Sequence, residues 1–285
     1  MPTTLENRTA LVTGAGRGIG RGIATGLARA GARVGLLART LRDLEEVRAE
    51  IQDAGGTAVT LAADVSDRDQ TRSALERLVG EFGQVEVLVN NAAVVWPLGP
   101  SQNVDPDAVA AAIAINVIGP MTLATRVLPG MLAAGWGRIV NVSAAIAAHP
   151  GMLVGINIYA ASKGALEAHT LNLAAELDGT GVTVNVYRPG AVDTSMQAYI
   201  REQPREQIGP SLHDRFTNML TSGTLSPQRR PPKVCSPDSP DHKQARSGTS
   251  TTRSRDHDHQ AKVDKDYPAR STRLARQREG VLKSV

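Results

Sequence analysis

Tyr159 and Lys163 stand four residues apart in YAASK, inside a segment of good helix formers, so their side chains share one face about one turn apart. A free phenol has a pKa of about 10, and a neighbouring ammonium lowers it by roughly 1 to 3 units by favouring the phenolate. Such a pair can give a proton to a carbonyl oxygen or take one from an alcohol. In isolation, a Tyr and a Lys at this spacing is most often a surface accident. Upstream, Ser143 closes the strand-like run GRIVNVS and could offer a hydroxyl to polarise a carbonyl. Asn116 interrupts the apolar run AIAINVIG, where an amide needs a reason; the plain alternative is an amide satisfied by backbone.

A second group of residues suits phosphate. The stretch TGAGRGIG, residues 13 to 20, follows an apolar strand pattern and leads at once into a helix pattern. Glycines 14, 16, 18 and 20 permit close approach of the backbone to a pyrophosphate, which the helix N-terminus then holds through its unpaired N–H groups. The spacing is T-G-x-x-x-G-x-G, and its place after the first strand of an α/β pattern favours dinucleotide binding over a structural turn. Thr13, Gly14, Arg17, Gly18, Ile19 and Gly20 are the candidate contacts. In LLARTLRD, Ala38 stands where a carboxylate would bind the adenosine ribose hydroxyls, and Arg39 follows. Arg17 and Arg39 could converge on a ribose 2′-phosphate, which favours NADP(H) and leaves NAD(H) open. The alternative is two solvated arginines.

The elements that must position these groups alternate short apolar runs with helix-period segments. Strands are expected at 9–14, 33–38, 58–64, 85–92, 138–143 and 182–187. Ile19, Ile23 and Leu27 share a helix face that Gly31 is placed to end, and Asp105-Pro106 caps a long helix running through Asn116. The pattern predicts an α/β, doubly wound parallel sheet with helices on both faces and a ligand crevice beyond the carboxyl ends of its strands.

The chain has 285 residues, 41% hydrophobic, with a formal net charge of +4. The charge is unevenly placed: residues 1–224 carry about −3 and residues 225–285 about +7, with only 13 apolar residues in that last segment. Residues 1–224 therefore read as the globular domain and residues 225–285 as a basic, disordered tail. The tail is read as a solvated extension, since no aromatic platform accompanies its charges and nucleic acid is not an expected partner. Cys235, the single cysteine, excludes an internal disulfide and suits a reducing compartment. No signal peptide is expected ahead of TALVTG, nor any apolar run of about 18 residues that would cross a bilayer, so a cytoplasmic protein without a membrane partner is the expectation.

Taken in order, TGAGRGIG, Asp64-Val65, NNAA (90–93), Asn116, GRIVNVS, YAASK and RPGAVDT (188–194) resemble the short-chain dehydrogenase/reductase family over about residues 5 to 224. The resemblance implies a Rossmann-type sheet with a seventh strand, a nicotinamide cofactor, and a small-molecule carbonyl or alcohol substrate. It places Asp64 and Val65 by the adenine, Asn90 and Ala92 along the cofactor cleft, and Pro189, Gly190 and Thr194 by the nicotinamide and phosphates. It also gives Lys163 a reach to the nicotinamide ribose and gives Asn116 a water in a proton relay. Two features depart from the family. The catalytic serine aligns with Ala144, and Ser143 is its available substitute. The tail lacks the family's last helix and strand, so the last strand of the sheet is expected to be missing, which weakens subunit contacts in any homo-oligomer. Two functions follow: carbonyl/alcohol redox chemistry by a Tyr-Lys pair, or a weakly active or non-catalytic cofactor-binding relative.

Overall fold

The computed structural model describes residues 5–222. The basic tail expected from residue 225, with Cys235, lies outside the described residues. Six strands form one parallel sheet in the order β3-β2-β1-β4-β5-β6. They are β1 (Thr9–Thr13), β2 (Arg33–Ala38), β3 (Thr57–Ala62), β4 (Val87–Asn90), β5 (Gly137–Val142) and β6 (Val182–Tyr187). From β1 the chain winds outward through β2 and β3, then crosses back to β4 on the other side of β1. That reversal opens a crevice beyond the ends of β1 and β4, where the glycine loop and the NNAA segment leave the sheet.

Both faces of the sheet are covered. One face packs Ala10, Val12, Val34, Leu36 and Val140 against helices α1 (Gly18–Arg29) and α2 (Leu41–Asp53). The other packs Leu11, Leu37, Leu88 and Ile139 against α3 (Arg68–Phe82), α5 (Gly119–Ala133) and α6 (Asn157–Glu176). Strands enclosed on both sides read as continuous apolar runs, which is why TALVT is buried throughout.

Asp67 caps α3 by accepting from the N–H groups of Asp69 and Gln70 at 2.9 and 3.0 Å. Asp105 caps α4 (Pro106–Ile113) by accepting from the Asp107 N–H at 3.1 Å, with Pro106 in the first turn. The helix expected to run through Asn116 changes pitch there: residues Ala114–Ile118 form a π-helical turn between α4 and α5. The resulting continuous helix, Pro106–Ala133, contains an 18-residue window of mean hydropathy 1.8 and is long and apolar enough by composition to cross a membrane. That corrects the sequence expectation of no such run. In this fold its Leu123, Ala124, Val127 and Met131 are buried against the sheet.

Beyond β6 come α7 (Ser195–Glu202), α8 (Arg205–Ile208) and α9 (Pro210–Thr221). Their Ile200, Ile208, Leu212 and Phe216 join Val95, Ile146 and Ile156 in a third apolar cluster, over the carboxyl end of the sheet. Among the described residues β6 is the last strand at its edge, and no seventh follows.

Candidate active site

The glycine loop is shaped by backbone proximity. A Cβ on Gly20 would lie 2.1 Å from the Gly14 carbonyl oxygen, and one on Gly14 would lie 2.9 Å from Ala92 Cα. Gly14 and Gly18 also have φ of 63° and 58°, the left-handed region that favours glycine. Asn91 braces the loop, donating from Nδ2 to the carbonyls of Thr13 and Gly14 at 2.9 and 3.2 Å. Thr13 Oγ1 accepts in turn from the N–H groups of Asn91 and Ala92, each at 3.0 Å. Asn91 was legible only as part of NNAA, because its role depends on β4 lying beside β1.

Helix α1 begins behind this loop with Arg17 at its cap, no side-chain capping bond and no acidic residue in its first turn. Uncapped N–H groups behind a loop without Cβ atoms fit a dinucleotide pyrophosphate. Thr194 lies over the loop, since a Cβ on Gly18 would meet its Cγ2 at 3.6 Å. Thr194 also caps α7, accepting from the Gln197 N–H at 3.5 Å. The RPGAVDT segment thus arrives over the glycine loop, with Gly190 turning it at φ 73°.

At the ends of β2 and β3, Arg39 Nη1 is 3.9 Å from Asp64 Oδ2. Asp64 Oδ1 accepts from the N–H and hydroxyl of Ser66 at 2.9 and 2.6 Å, which fixes the turn after β3. Arg39 and Arg17 are both exposed. Val65 is buried, its carbonyl pressed on Gly119 at the start of α5. Asn90 turns its side chain into the interior, where Nδ2 donates to Asn141 Oδ1 at 2.9 Å, and Asn141 donates to Thr170 Oγ1 at 2.8 Å.

The proton-transfer candidates meet at the start of α6. Lys163 is buried, its Nζ donates to the Val142 carbonyl at 2.7 Å, and it lies 5.7 Å from the Tyr159 ring centroid. Burial pushes the Tyr159 phenol up to about 12. Burial also pushes the Lys163 ammonium down to about 8, against the pull of Glu167. The sequence expectation is a phenol lowered by its lysine; in the folded chain burial raises it instead.

Asn116 is fully buried. Its Oδ1 accepts from the Val94 N–H and its Nδ2 donates to the Val94 carbonyl, both at 2.8 Å, and Nδ2 also donates to Ser162 Oγ at 3.0 Å. Ser162 passes this on to the Tyr159 carbonyl at 2.8 Å. The π turn is therefore tied to the first turn of α6 through Ser162, a residue of YAASK that sequence reasoning passed over. Ser143 follows β5 with its hydroxyl enclosed and without a hydrogen-bond partner among the described residues. Ala144 packs instead with Tyr159 against the third apolar cluster.

A sequence model described as short chain dehydrogenase matches residues 8–205. The chain is 36% identical over 238 residues to a short chain dehydrogenase of Pseudocercospora fijiensis, covering 81% of this chain and 74% of that protein. Among solved structures, it is similar to a metagenomic short-chain oxidoreductase in complex with NADP, with TM-score 0.63, 33% identity, and 78% and 92% of the two chains covered. It is also similar to the 3-ketoacyl-(acyl-carrier-protein) reductase of Brucella melitensis complexed with NADH, with TM-score 0.67, 29% identity, and 79% and 87% covered. With its six-stranded parallel sheet and its glycine-loop crevice, the chain belongs to the short chain dehydrogenase family of NAD(P)-dependent oxidoreductases.

Proposed function

We propose that the protein reduces a small-molecule carbonyl to an alcohol with NADPH, and runs the reverse reaction when oxidised cofactor and alcohol are in excess. The observation that carries this reading is the enclosed Tyr159–Lys163 pair at the carboxyl end of the sheet. Gly14, Gly18, Gly20 and the uncapped start of α1 would hold the dinucleotide, with Thr194 over the loop. When bound, the nicotinamide supplies or accepts the hydride.

Tyr159 is the group that moves the proton. Its phenol, pushed up to about 12, is fully protonated near neutral pH and so is set to give a proton to the carbonyl oxygen. Lys163, protonated at that pH, stabilises the phenolate left behind. Asn116 and Ser162 hold the first turn of α6 against the π turn, so that Tyr159 keeps its place. The roof of Ile146, Ile156, Ile200, Leu212 and Phe216 excludes water and suits an apolar substrate. Arg17 and Arg39, with no carboxylate at Ala38, support a preference for NADPH over NADH.

Ala144 and the enclosed hydroxyl of Ser143 favour a second reading, a weakly active or non-catalytic cofactor-binding protein. Titration of the full chain with NADPH and NADH, followed by nucleotide fluorescence, separates the readings when paired with a panel of apolar ketones and β-ketoesters. NADPH-preferring binding, with turnover that Tyr159→Phe lowers by about 10² to 10⁴, is expected. Binding without turnover of any panel member would support the second reading.

A further inference from the structure

One ion pair beside the site belongs neither to the cofactor cradle nor to the proton-transfer set. Glu167 stands one turn beyond Lys163 on α6, so both project from the same face. Its Oε1 accepts from Arg188 Nε at 2.7 Å and its Oε2 accepts from Arg188 Nη2, a two-pronged clamp. The Glu167 side chain is only 13% exposed. Arg188 immediately precedes Pro189-Gly190, so the clamp joins the catalytic helix to the segment that reaches the glycine loop.

We propose that Glu167 is a positioning residue whose carboxylate, clamped by Arg188, keeps the buried Lys163 ammonium protonated. The proposal rests on the reading of Tyr159 and Lys163 as the proton-transfer pair. Lys163 needs such help: among the described residues its hydrogen bond is to a neutral carbonyl, and burial disfavours its charge. It is also the only lysine in residues 1–232, where every other basic side chain apart from histidine is an arginine.

The groups around it are few. On α6, Tyr159 and Glu167 are the ionisable neighbours one turn to either side, with His169 and Glu176 further along. From β5 comes the Val142 carbonyl, with the neutral Ser143 following the strand, and Asn116 of the π turn reaches α6 through Ser162. Tyr187 of β6 packs on the opposite face of the sheet, leaving Arg188 at the strand's exit. The acids Asp105 and Asp107 lie at the exposed start of α4, and His149, between the two 3-10 turns before α6, is exposed. Among the described residues Glu167 is thus the carboxylate placed to offset the desolvation of Lys163, and Arg188 both aims and partly neutralises it.

Two variants of the full chain test this with opposite signs. Lysine labelled with ¹³C at Cε is titrated by NMR, with Lys163→Met identifying the Lys163 signal among those of the five lysines from Lys233 onward. Glu167→Gln is expected to move the Lys163 midpoint down by about one pH unit, and Arg188→Gln to move it up by a smaller amount. In turnover, the alkaline limb of the kcat profile follows the same shifts, since activity needs the protonated lysine. An unmoved midpoint in Glu167→Gln overturns the proposal. Equal downward shifts in both variants overturn it too, by showing that the pair acts only as a staple. A moved midpoint with an unmoved kcat limb overturns the positioning role by a different route, because it shows that the proton on Lys163 does not govern turnover.

Discussion

The two halves of the crevice are built by opposite means. Around the glycine loop two neutral side chains, Asn91 and Thr13, brace the backbone, and the charged side chains, Arg17 and Arg39, are exposed. Shape there comes from the absence of Cβ atoms, as the 2.1 Å approach at Gly20 shows. Around α6 the polar groups are side chains taken out of water: Lys163, Asn116, Ser143, Asn141 and Thr170 are all buried. The first half fails by steric intrusion, whereas the second is set by the cost of desolvation.

The largest effect should come from adding one carbon in the first half. Gly20→Ala drives a methyl into the Gly14 carbonyl and should cost about 3 kcal/mol of stability, with loss of nucleotide binding, by denaturant melts and titration. In the second half, Ala144→Ser adds a hydroxyl at a position packed on the same apolar cluster as Tyr159 and should raise turnover by about 10² to 10³ in steady-state assays. No gain would mean that Ser143, despite its enclosed hydroxyl, already serves the carbonyl.

A smaller effect separates the halves by pH. Lys163 is held near 8 against an ordinary 10.5, so across that window the unfolded chain keeps a proton that the fold has released, and stability should rise with pH. Tyr159, raised to about 12, opposes this only above its ordinary value of 10. Lys163→Met should flatten the rise in denaturant midpoints; a persistent rise would place its origin elsewhere. The smallest effect returns to α1. Gly22 has open space where its Cβ would be, so Gly22→Ala should stabilise by about 0.5 to 1 kcal/mol and leave nucleotide affinity unchanged. A loss of affinity would show that the loop depends on helix flexibility as well as on clearance.

The fold was largely legible because strands covered on both faces leave short, largely apolar runs, and all six lie within two residues of their expected bounds. The glycine loop was legible for a similar reason: its constraints are local to eight residues. The site around α6 was only partly so. Spacing brings Tyr159 and Lys163 to one face, yet the direction of the phenol's shift follows from burial, which depends on α7 to α9 closing over it. Asn91, Ser162 and the Glu167–Arg188 clamp carry no signature of their own, because each acts on a partner from another element.

Residue types and spacing by themselves determined the parallel α/β order, the phosphate loop and the Tyr-Lys face, because periodicity, glycine geometry and helical pitch act over a few residues. Tertiary structure alone decided that the Ser143 hydroxyl is enclosed, that Ala144 and Tyr159 pack on one apolar cluster, and that the Lys163 ammonium bonds the Val142 carbonyl. Those outcomes depend on desolvation and on contacts between segments far apart in the chain, and neither quantity exists until the elements have packed.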